Sequence, residues 1–488
     1  MKKYLILIFG MMALINESIT AQKVSLSGGG GLLLTPKGVL ISEPVSEEPI
    51  TPTLTTDRNV VWVHGFEGSN QSWNRYSDKF QNEYKMHCWR TQYSNSGNPA
   101  FPDANSIPEA AQIVQNDLTN TGIAPNPNNI FIAHSMGGLV TREIDRQRTG
   151  SVQPELFGGF VTFSTPHKGA IIAKNVMEGK ADEFIDDGIR SLLKPLSIPI
   201  IGTILINSAT INDHIHLISK IFAKRGPALQ LASNSDYIRD LGYFNSGSKK
   251  IITVAARESG EKLWREVSSL ALHPPSEIGF HTYGDNDLPQ KMNNLRGAYN
   301  GAGIVSAAIA VVSAFKFNPI AAARWGVRSV QFFAGASWIK NAPKVWDNLV
   351  GANRTEQRQV TNRQIRQDII DLWMNWQDNM GCETNRSPGR DCSFNRFIGT
   401  LSPNDRDNLY ETVTSTVTVP IINEDNDGIV LTSSSNGLDY ANAKIETRLR
   451  TDLGVNHQEC MNHEFITEIF VNDIFSGNRD RFFILEKR

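Results

Sequence analysis

The feature that most constrains the fold of this chain is an alternation of short apolar runs and amphipathic segments that begins near residue 58. The run Asn59–Val63 is continuous and apolar and stops at a His-Gly pair, which is typical of a strand buried on both faces. Ser106–Asn120 opens with a capping serine and carries apolar residues at helical spacing. Strands alternating with helices predict a mainly parallel sheet covered on both faces, the α/β class. The other predicted strands are 85–91, 130–133, 160–163 and 251–255, with a helix at 136–148.

The N-terminus has the three-part layout of a secretory signal peptide. Met-Lys-Lys is followed by an apolar run from Tyr4 to Ile15 and a polar stretch that ends at Ala21-Gln22. This run is shorter than the about 20 residues that a stable membrane anchor needs. We therefore predict that residues 1–21 are removed and that the protein is secreted or periplasmic. Residues 22–56 are rich in Gly, Pro, Ser and Thr and are predicted to be a flexible lead-in.

The net charge argues against one class of partner, and the cysteines indicate where a disulfide could form. Removal of the signal peptide takes away two Lys and one Glu and changes the net charge from −2 to −3, which argues against a nucleic-acid partner. Exported cysteines can form disulfides, and Cys382 and Cys392, ten residues apart in a loop, are the first choice for a bond. Cys88 and Cys460 are as well suited to be buried thiols. None has the spacing of a zinc or redox site.

From residue 284 to 404 the alternation stops and long helical patterns replace it. We predict a large helical insertion here, between a first core part at 57–283 and a second at 405–488. The predicted elements are helices at 301–315, 321–350 and 358–380, sheet-like sequence at 412–422 and a closing helix at 459–475.

The insertion carries an unusual apolar signal. Residues 301–315 are uncharged, and the next stretch is rich in aromatic residues. The simplest interpretation is a helical hairpin that buries its own core. The alternative is a lid or cap whose apolar face meets a lipid interface when the site opens. A transmembrane span is disfavoured because Lys316 ends the apolar run early.

A candidate nucleophile stands between the predicted strand 130–133 and the following helix. Ala133-His-Ser-Met-Gly-Gly138 is an Ala-first variant of the G-x-S-x-G turn, which exposes the hydroxyl of Ser135. The pattern alone is weak, because roughly 0.4 chance matches are expected in a chain of this length. Its position between strand and helix is what makes it informative.

A second motif lies upstream, directly after the first buried strand. The motif is His64-Gly-Phe-Glu-Gly68. We expect it to place the backbone N–H of Phe66 beside the carbonyl group that the Ser135 hydroxyl would attack. Together with the N–H of Met136, it would form an oxyanion hole. His64 itself is interpreted as a residue that shapes the loop.

These motifs, with Ser164-Thr-Pro-His-Lys-Gly169 and Asn426-Asp-Gly-Ile-Val430, resemble those of bacterial triacylglycerol lipases, related esterases and GPI inositol-deacylase-like hydrolases. The resemblance covers residues 58–256 and 412–475 and leaves the insertion uncovered. It implies an α/β-hydrolase fold, a lipid or other acyl-ester substrate, and Asp427 as the acid of a catalytic triad. His167 is similar to a position that is structural in that family.

The mechanism needs a serine, an acid and a base in that chain order, and Ser135, Asp427 and His457 satisfy it. Asp425 is the rival acid. Asn423, Asp425 and Asp427 also resemble the first half of a calcium loop, but Ser434 stands where such a loop needs Glu, so no metal is predicted.

Two histidines, His457 and His463, are candidates for the catalytic base. His463 falls within the apolar spacing of the closing helix, whereas His457 precedes it in a loop just after Gly454. A triad base reaches the site from a loop, so we favour His457.

The sequence therefore predicts a serine hydrolase that cleaves carboxylic esters through an acyl-enzyme and needs no cofactor. Two alternatives stay open. An alcohol acceptor could outcompete water, which would make the protein an acyltransferase, or the fold could be a catalytically inactive binding module.

Overall fold

The computed structural model describes most of the chain beyond residue 57. Apart from a few single residues, the described ranges are 58–94, 102–187, 226–258, 262–271, 288–315, 318–381, 392–438, 444–450, 454–461, 474–476 and 481–485. The predicted signal peptide, the lead-in 22–56 and His463 lie outside them.

The centre of the fold is a six-stranded sheet in which every neighbouring pair is parallel. The strands of the described residues are β1 Asn59–Val63, β2 His87–Arg90, β3 Ile130–His134, β4 Gly159–Phe163, β5 Lys250–Ala255, β6 Arg354–Ile365, β7 Tyr410–Ile421 and β8 Lys444–Arg450. The sheet order is β2-β1-β3-β4-β5-β8. The predicted parallel α/β sheet is confirmed.

Alternate residues of the strands enter two separate cores, one on each face of the sheet. Val60, Trp62 and Ile132 pack on one face, and Val61 and Phe131 on the other. Because successive side chains of a strand point to opposite faces, a strand buried on both sides is apolar throughout. This pattern is the physical basis of the continuous apolar runs in the sequence.

Helices connect the strands. Up to residue 350 the described helices are α1 Asn74–Glu83, α2 Ile107–Asn120, α3 Met136–Gly150, α4 Ile171–Met177, α5 Gly226–Leu231, α6 Asp236–Gly242, α7 Lys262–Ala271, α8 Leu288–Phe315 and α9 Pro319–Val350. As predicted, Ser106 caps α2, since its hydroxyl accepts the backbone N–H of Glu109 at 3.2 Å. Beyond α9, the described helices are α10 Gln367–Asn379, α11 Phe394–Thr400, α12 Pro403–Asp407 and α13 Thr432–Ser435.

The predicted helices at 301–315 and 321–350 are confirmed as parts of α8 and α9, which form a long hairpin. The Ser329 hydroxyl donates to the Gly303 carbonyl at 2.9 Å. A Cβ at Gly303 would lie only 2.9 Å from the Phe333 ring, so the glycine allows the helices to approach closely. The hairpin shares an apolar cluster with Leu263 and Trp264 of α7.

The chain divides into two compact units, and residues 353–422 form the second. In this unit β6 and β7 pair antiparallel, and Ile369, Phe397 and Leu409 make a small core. The division differs from the predicted insertion 284–404, because α8 and α9 belong to the same unit as the sheet.

Two predictions about this second unit are wrong in part. Residues 358–380 were predicted as one helix, but the first part lies in the strand β6 and only 367–379 is helical. The Gln- and Arg-rich sequence of β6 fits either structure, and its pairing with the Thr- and Val-rich β7 decides for strand. The predicted sheet sequence at 412–422 does lie in a strand up to Ile421, but that strand pairs with β6 and not with the central sheet.

The cysteines fall into two kinds. Cys392 is disulfide-bonded, whereas Cys88 and Cys460 are free thiols. Cys382, the predicted partner of Cys392, lies outside the described residues.

Candidate active site

The candidate nucleophile Ser135 sits in the turn between β3 and α3 with φ 53° and ψ −127°. A residue with a side chain rarely adopts this backbone conformation, which stores strain at functional sites. The turn is held because the Ser135 N–H donates to the Phe163 carbonyl of β4 at 2.9 Å. The hydroxyl is thereby presented at the carboxyl end of the sheet.

The small residues around Ser135 are required by close approach of the backbone. A Cβ at Gly137 would lie 2.4 Å from the His64 carbonyl oxygen, and one at Gly138 would lie 2.2 Å from the Thr165 hydroxyl. A Cβ at Gly65 would lie 2.9 Å from Cβ of Ser135. The loop after β1 therefore packs directly against the nucleophile turn.

The structure brings Ser135, His457 and Asp427 together, although the first two are 322 residues apart in sequence. His457 Nε2 lies 2.9 Å from Ser135 Oγ, and His457 Nδ1 lies 2.8 Å from Asp427 Oδ2. All three side chains are buried or nearly so. The carboxylate accepts a hydrogen bond from Nδ1–H, which leaves the lone pair of Nε2 to accept the hydrogen bond of the serine O–H.

The pKa of His457 follows from this arrangement. Burial disfavours the charged imidazolium, but the Asp427 carboxylate and its hydrogen bond outweigh burial and raise the pKa of His457. A raised pKa makes the imidazole a stronger base toward the serine hydroxyl.

Asp427 is fixed by its own loop. Its Oδ1 accepts the backbone N–H groups of Ile429 at 3.0 Å and Val430 at 2.7 Å. Asp425, the rival acid, instead forms an ion pair with Arg257 at 2.9 Å. Because the two carboxylates face different partners, they do not form half of a calcium loop. No cluster of three potential metal ligands occurs among the described residues.

The loop that carries His457 is tied to three parts of the fold. The His457 N–H donates to the Asp427 carbonyl at 2.9 Å, and the His457 carbonyl lies 2.8 Å from His134 Nε2. Both carboxylate oxygens of Glu459, two residues on, accept from Nη2 of Arg265 in α7, at 2.7 and 2.9 Å. The base is therefore oriented by hydrogen bonds at its main chain as well as at its ring.

Other histidines near the site have structural contacts. His64 stacks on Tyr93 with ring centroids 4.0 Å apart, and burial lowers the pKa of His64 to about 4. Burial also holds the pKa of His134 and His167 well below the usual value, and His167 lies 3.0 Å from the Thr162 hydroxyl. These rings are neutral at ordinary pH.

The predicted oxyanion donors lie beside a small cavity. Phe66 and Met136 both line a cavity of about 150 Å³, together with Tyr93 and Pro227. Among the described residues, neither the Phe66 nor the Met136 backbone N–H has a hydrogen-bond acceptor. Two free donors at a cavity next to the serine are suited to a developing oxyanion.

Three residues that the sequence patterns did not indicate support this site. The Trp346 indole N–H of α9 donates to the Gly428 carbonyl at 2.7 Å and so holds the acid loop. Arg265 anchors the base loop. Glu266 is fully buried beside Gly428 without a well-formed hydrogen bond. No local motif marks these residues, since each acts across a large sequence separation.

Glu266 is a second buried carboxyl near the triad. Burial raises the pKa of Glu266 to about 8, and the neighbouring Asp427 adds to the rise, while His457 opposes it. At neutral pH the group therefore mostly keeps its proton.

The parallel sheet, the strained serine turn and the Ser-His-Asp contacts define an α/β-hydrolase. Residues 55–181, which hold β1 to β4 and the nucleophile turn, match the family described as "Putative serine esterase (DUF676)". No match is found among curated proteins.

Several solved structures are similar to this chain at low identity. An extracellular α/β-hydrolase from a Paenibacillus species is 14% identical, with 40% of this chain and 76% of that chain covered and a TM-score of 0.24. The mature form of a Bacillus licheniformis lipase is 16% identical, covering 45% and 71%, with a TM-score of 0.25. A lipase-esterase related protein from Clostridium acetobutylicum is 15% identical, covering 41% and 74%, with a TM-score of 0.23. With TM-scores this low, the fold assignment rests on this chain's own strand order and serine turn.

Proposed function

We propose that the protein is an exported serine hydrolase that cleaves carboxylic esters, with Ser135 as nucleophile, His457 as base and Asp427 as the acid that orients it. The observation that carries the proposal is the continuous set of contacts from Asp427 through His457 to a serine held in a strained turn. Such a set activates a hydroxyl that is otherwise a weak nucleophile.

In the proposed reaction, His457 Nε2 takes the proton of Ser135 as Oγ attacks the ester carbonyl. The oxyanion is held by the N–H groups of Phe66 and Met136. The protonated His457 then gives its proton to the leaving alcohol, which departs as the C–O bond breaks. Water attacks the acyl-enzyme by the same steps and releases the acid and free Ser135.

The acyl group is proposed to occupy the cavity beside Phe66, Tyr93 and Met136, whose lining also includes the polar residues Ser94, Asp103 and Asn105. The proposed substrate class is a lipid or other acyl ester. The reaction as written uses no cofactor or metal. The proposed export rests on the signal-peptide layout and is supported by the disulfide at Cys392.

The test combines covalent labelling with turnover. We expect a fluorophosphonate probe to label Ser135, and Ser135→Ala to abolish both the label and the hydrolysis of p-nitrophenyl esters of rising acyl length. His457→Ala should lower the rate by several orders of magnitude, whereas His463→Ala should not.

Labelling that is unchanged in Ser135→Ala would overturn the proposal. Full activity of His457→Ala would move the base to His463. If an added alcohol captures most of the acyl group in place of water, the protein is an acyltransferase.

A further inference from the structure

The two halves of the α8–α9 hairpin are built differently. At its base, side chains of both helices are buried against the core, among them Leu295, Tyr299, Ile339 and Trp346. We call residues 307–328 the hairpin tip. No described residue of the tip is buried. The tip therefore contributes nothing to the core of the molecule.

The hairpin tip is nevertheless apolar. Val311 is 56% exposed, Ile320 is 81% exposed and Val327 is 58% exposed. Single exposed aliphatic residues are common, but several of them on one short segment with no buried described residue indicate a place of interaction. An exposed apolar surface of this kind favours contact with an apolar partner, which would cover it.

The charge of the hairpin indicates what kind of partner this is. Between residues 288 and 346 the sequence has no Asp or Glu, although the whole chain has 50 acidic and 48 basic residues. The same stretch has seven basic residues: Lys291, Arg296, Lys316, Arg324, Arg328, Lys340 and Lys344. Asp347, at the base of α9, is the acidic residue of the hairpin and pairs with Lys262. An apolar tip flanked by basic residues alone is complementary to an apolar layer with an anionic surface, which is an anionic lipid membrane.

The positions of the basic and aromatic residues fit this partner. Arg324, Trp325 and Arg328 follow the start of α9 at Pro319 by five to nine residues, which is about 8–14 Å along a helix. An interfacial helix inserts about 5–10 Å, so these side chains would reach the headgroups as the tip enters the acyl boundary. The Arg328 guanidinium lies 4.7 Å from the centre of the Trp325 ring. Trp and Arg are residues that favour the headgroup layer.

We propose that the hairpin tip docks this protein on an anionic lipid bilayer, with Val311, Ile320 and Val327 entering the membrane and Arg324 and Arg328 binding the lipid headgroups. The surface is separate from Ser135 and the proposal does not depend on the hydrolase chemistry.

Insertion of the tip is favoured over a transmembrane span. By length and composition, one helix of the described residues could cross a membrane, the segment Met292–Ala314 of α8. Its first turns, however, are packed in the protein core through Met292, Leu295 and Tyr299. Its first turns are therefore not free to enter a bilayer, whereas no described residue from 307 to the end of the segment is buried.

The experiment is flotation of the full-length protein with vesicles of phosphatidylcholine alone or with about one third phosphatidylglycerol. We expect binding to the anionic vesicles that weakens with added salt. Ile320→Asp/Val327→Asp should weaken it at least about tenfold. Arg324→Glu/Arg328→Glu should weaken it at least about 25-fold, since each cation contributes about fivefold.

Matched changes elsewhere control for general effects of charge. Tyr243→Asp replaces another exposed hydrophobic residue, which is 82% exposed, and Arg358→Glu/Arg406→Glu reverses two exposed arginines outside the hairpin. Both should bind as the wild type does. Ser135→Ala should also bind normally, and the tip variants should keep the circular dichroism spectrum and the urea midpoint of the wild type, which shows that they are folded.

The proposal fails if the wild type does not bind anionic vesicles or if the tip variants bind as well as the wild type. Equal binding to both kinds of vesicle removes the role of the arginines. If Ile320→Asp/Val327→Asp abolishes a dimer seen by light scattering while vesicle binding is absent, the tip is a contact with a second copy and the membrane proposal is wrong.

Discussion

In most proteins apolar side chains are buried and polar side chains are exposed. The carboxyl end of the central sheet and the hairpin tip both depart from this rule, the first by burying polar side chains and the second by exposing apolar ones. At the sheet end, polar side chains such as Asp427 and His457 are buried. At the tip, aliphatic side chains such as Ile320 are exposed. Each arrangement is costly for an isolated molecule, and each is informative for that reason. Hydrogen bonds inside the protein compensate for the burial of the polar side chains. The exposed aliphatic side chains of the tip form the surface that we propose to contact a lipid bilayer.

The largest expected effect separates the two neighbouring carboxylates of the acid loop. We expect Asp427→Asn to lower the kcat of ester hydrolysis by about 10⁴-fold, because the amide no longer orients and stabilises the His457 imidazole. Asp425→Asn should change it less than about tenfold, since Asp425 pairs with Arg257 and not with His457. Steady-state kinetics on one p-nitrophenyl ester measures both. Equal losses in the two variants would contradict the assignment of the acid.

The contrast between the base and the tip of the hairpin can be tested with one residue type. Ile339 is 3% exposed and Ile304, near the tip, is 54% exposed. We expect Ile339→Ala to lower the free energy of unfolding by about 2–5 kcal/mol. Ile304→Ala should change it by less than about 0.5 kcal/mol. Urea unfolding followed by circular dichroism gives both values. A similar loss for Ile304→Ala would mean that the tip region is packed.

The smallest expected effect concerns Glu266 and depends on pH. Its carboxyl pKa is about 8 in the folded protein and has an ordinary value of 4.5 otherwise. Between these values the unfolded chain releases the proton while the folded protein keeps it, so stability is lost as pH rises through this window. Glu266→Gln should remove that loss and gain up to a few kcal/mol relative to the wild type by about pH 8.

Comparing the urea midpoints of wild type and Glu266→Gln at about pH 5.5 and about pH 8 is the measurement. Tyr299→Phe, also buried but without a carboxyl, is the control and should show a difference that does not vary between these pH values. A constant difference for Glu266→Gln would show that the carboxyl does not keep its proton on folding.

Local sequence signals located the nucleophile and the sheet. Ser135 is only a few positions from the apolar run of β3 and from the small residues Gly137 and Gly138. One contiguous segment therefore contains the residues that determine the turn. The strands of the sheet were equally readable, because burial on both faces requires continuous apolar runs. By contrast, the polar sequence of β6 fits helix or strand, and only its pairing with β7 decides.

By itself, then, the sequence determined the α/β class, the serine turn and the chain order of the three candidate residues. Tertiary structure decided which of two carboxylates two positions apart faces His457, since the turn at Gly428, with φ 102°, directs Asp427 inward. It also decided the roles of Trp346, Arg265 and Glu266, and it divided the α8–α9 hairpin into a packed base and an exposed tip. The physical reason is the range of the interactions. Turn chemistry and burial periodicity act over a few residues, whereas burial and pairing of a given side chain depend on segments that are distant in sequence.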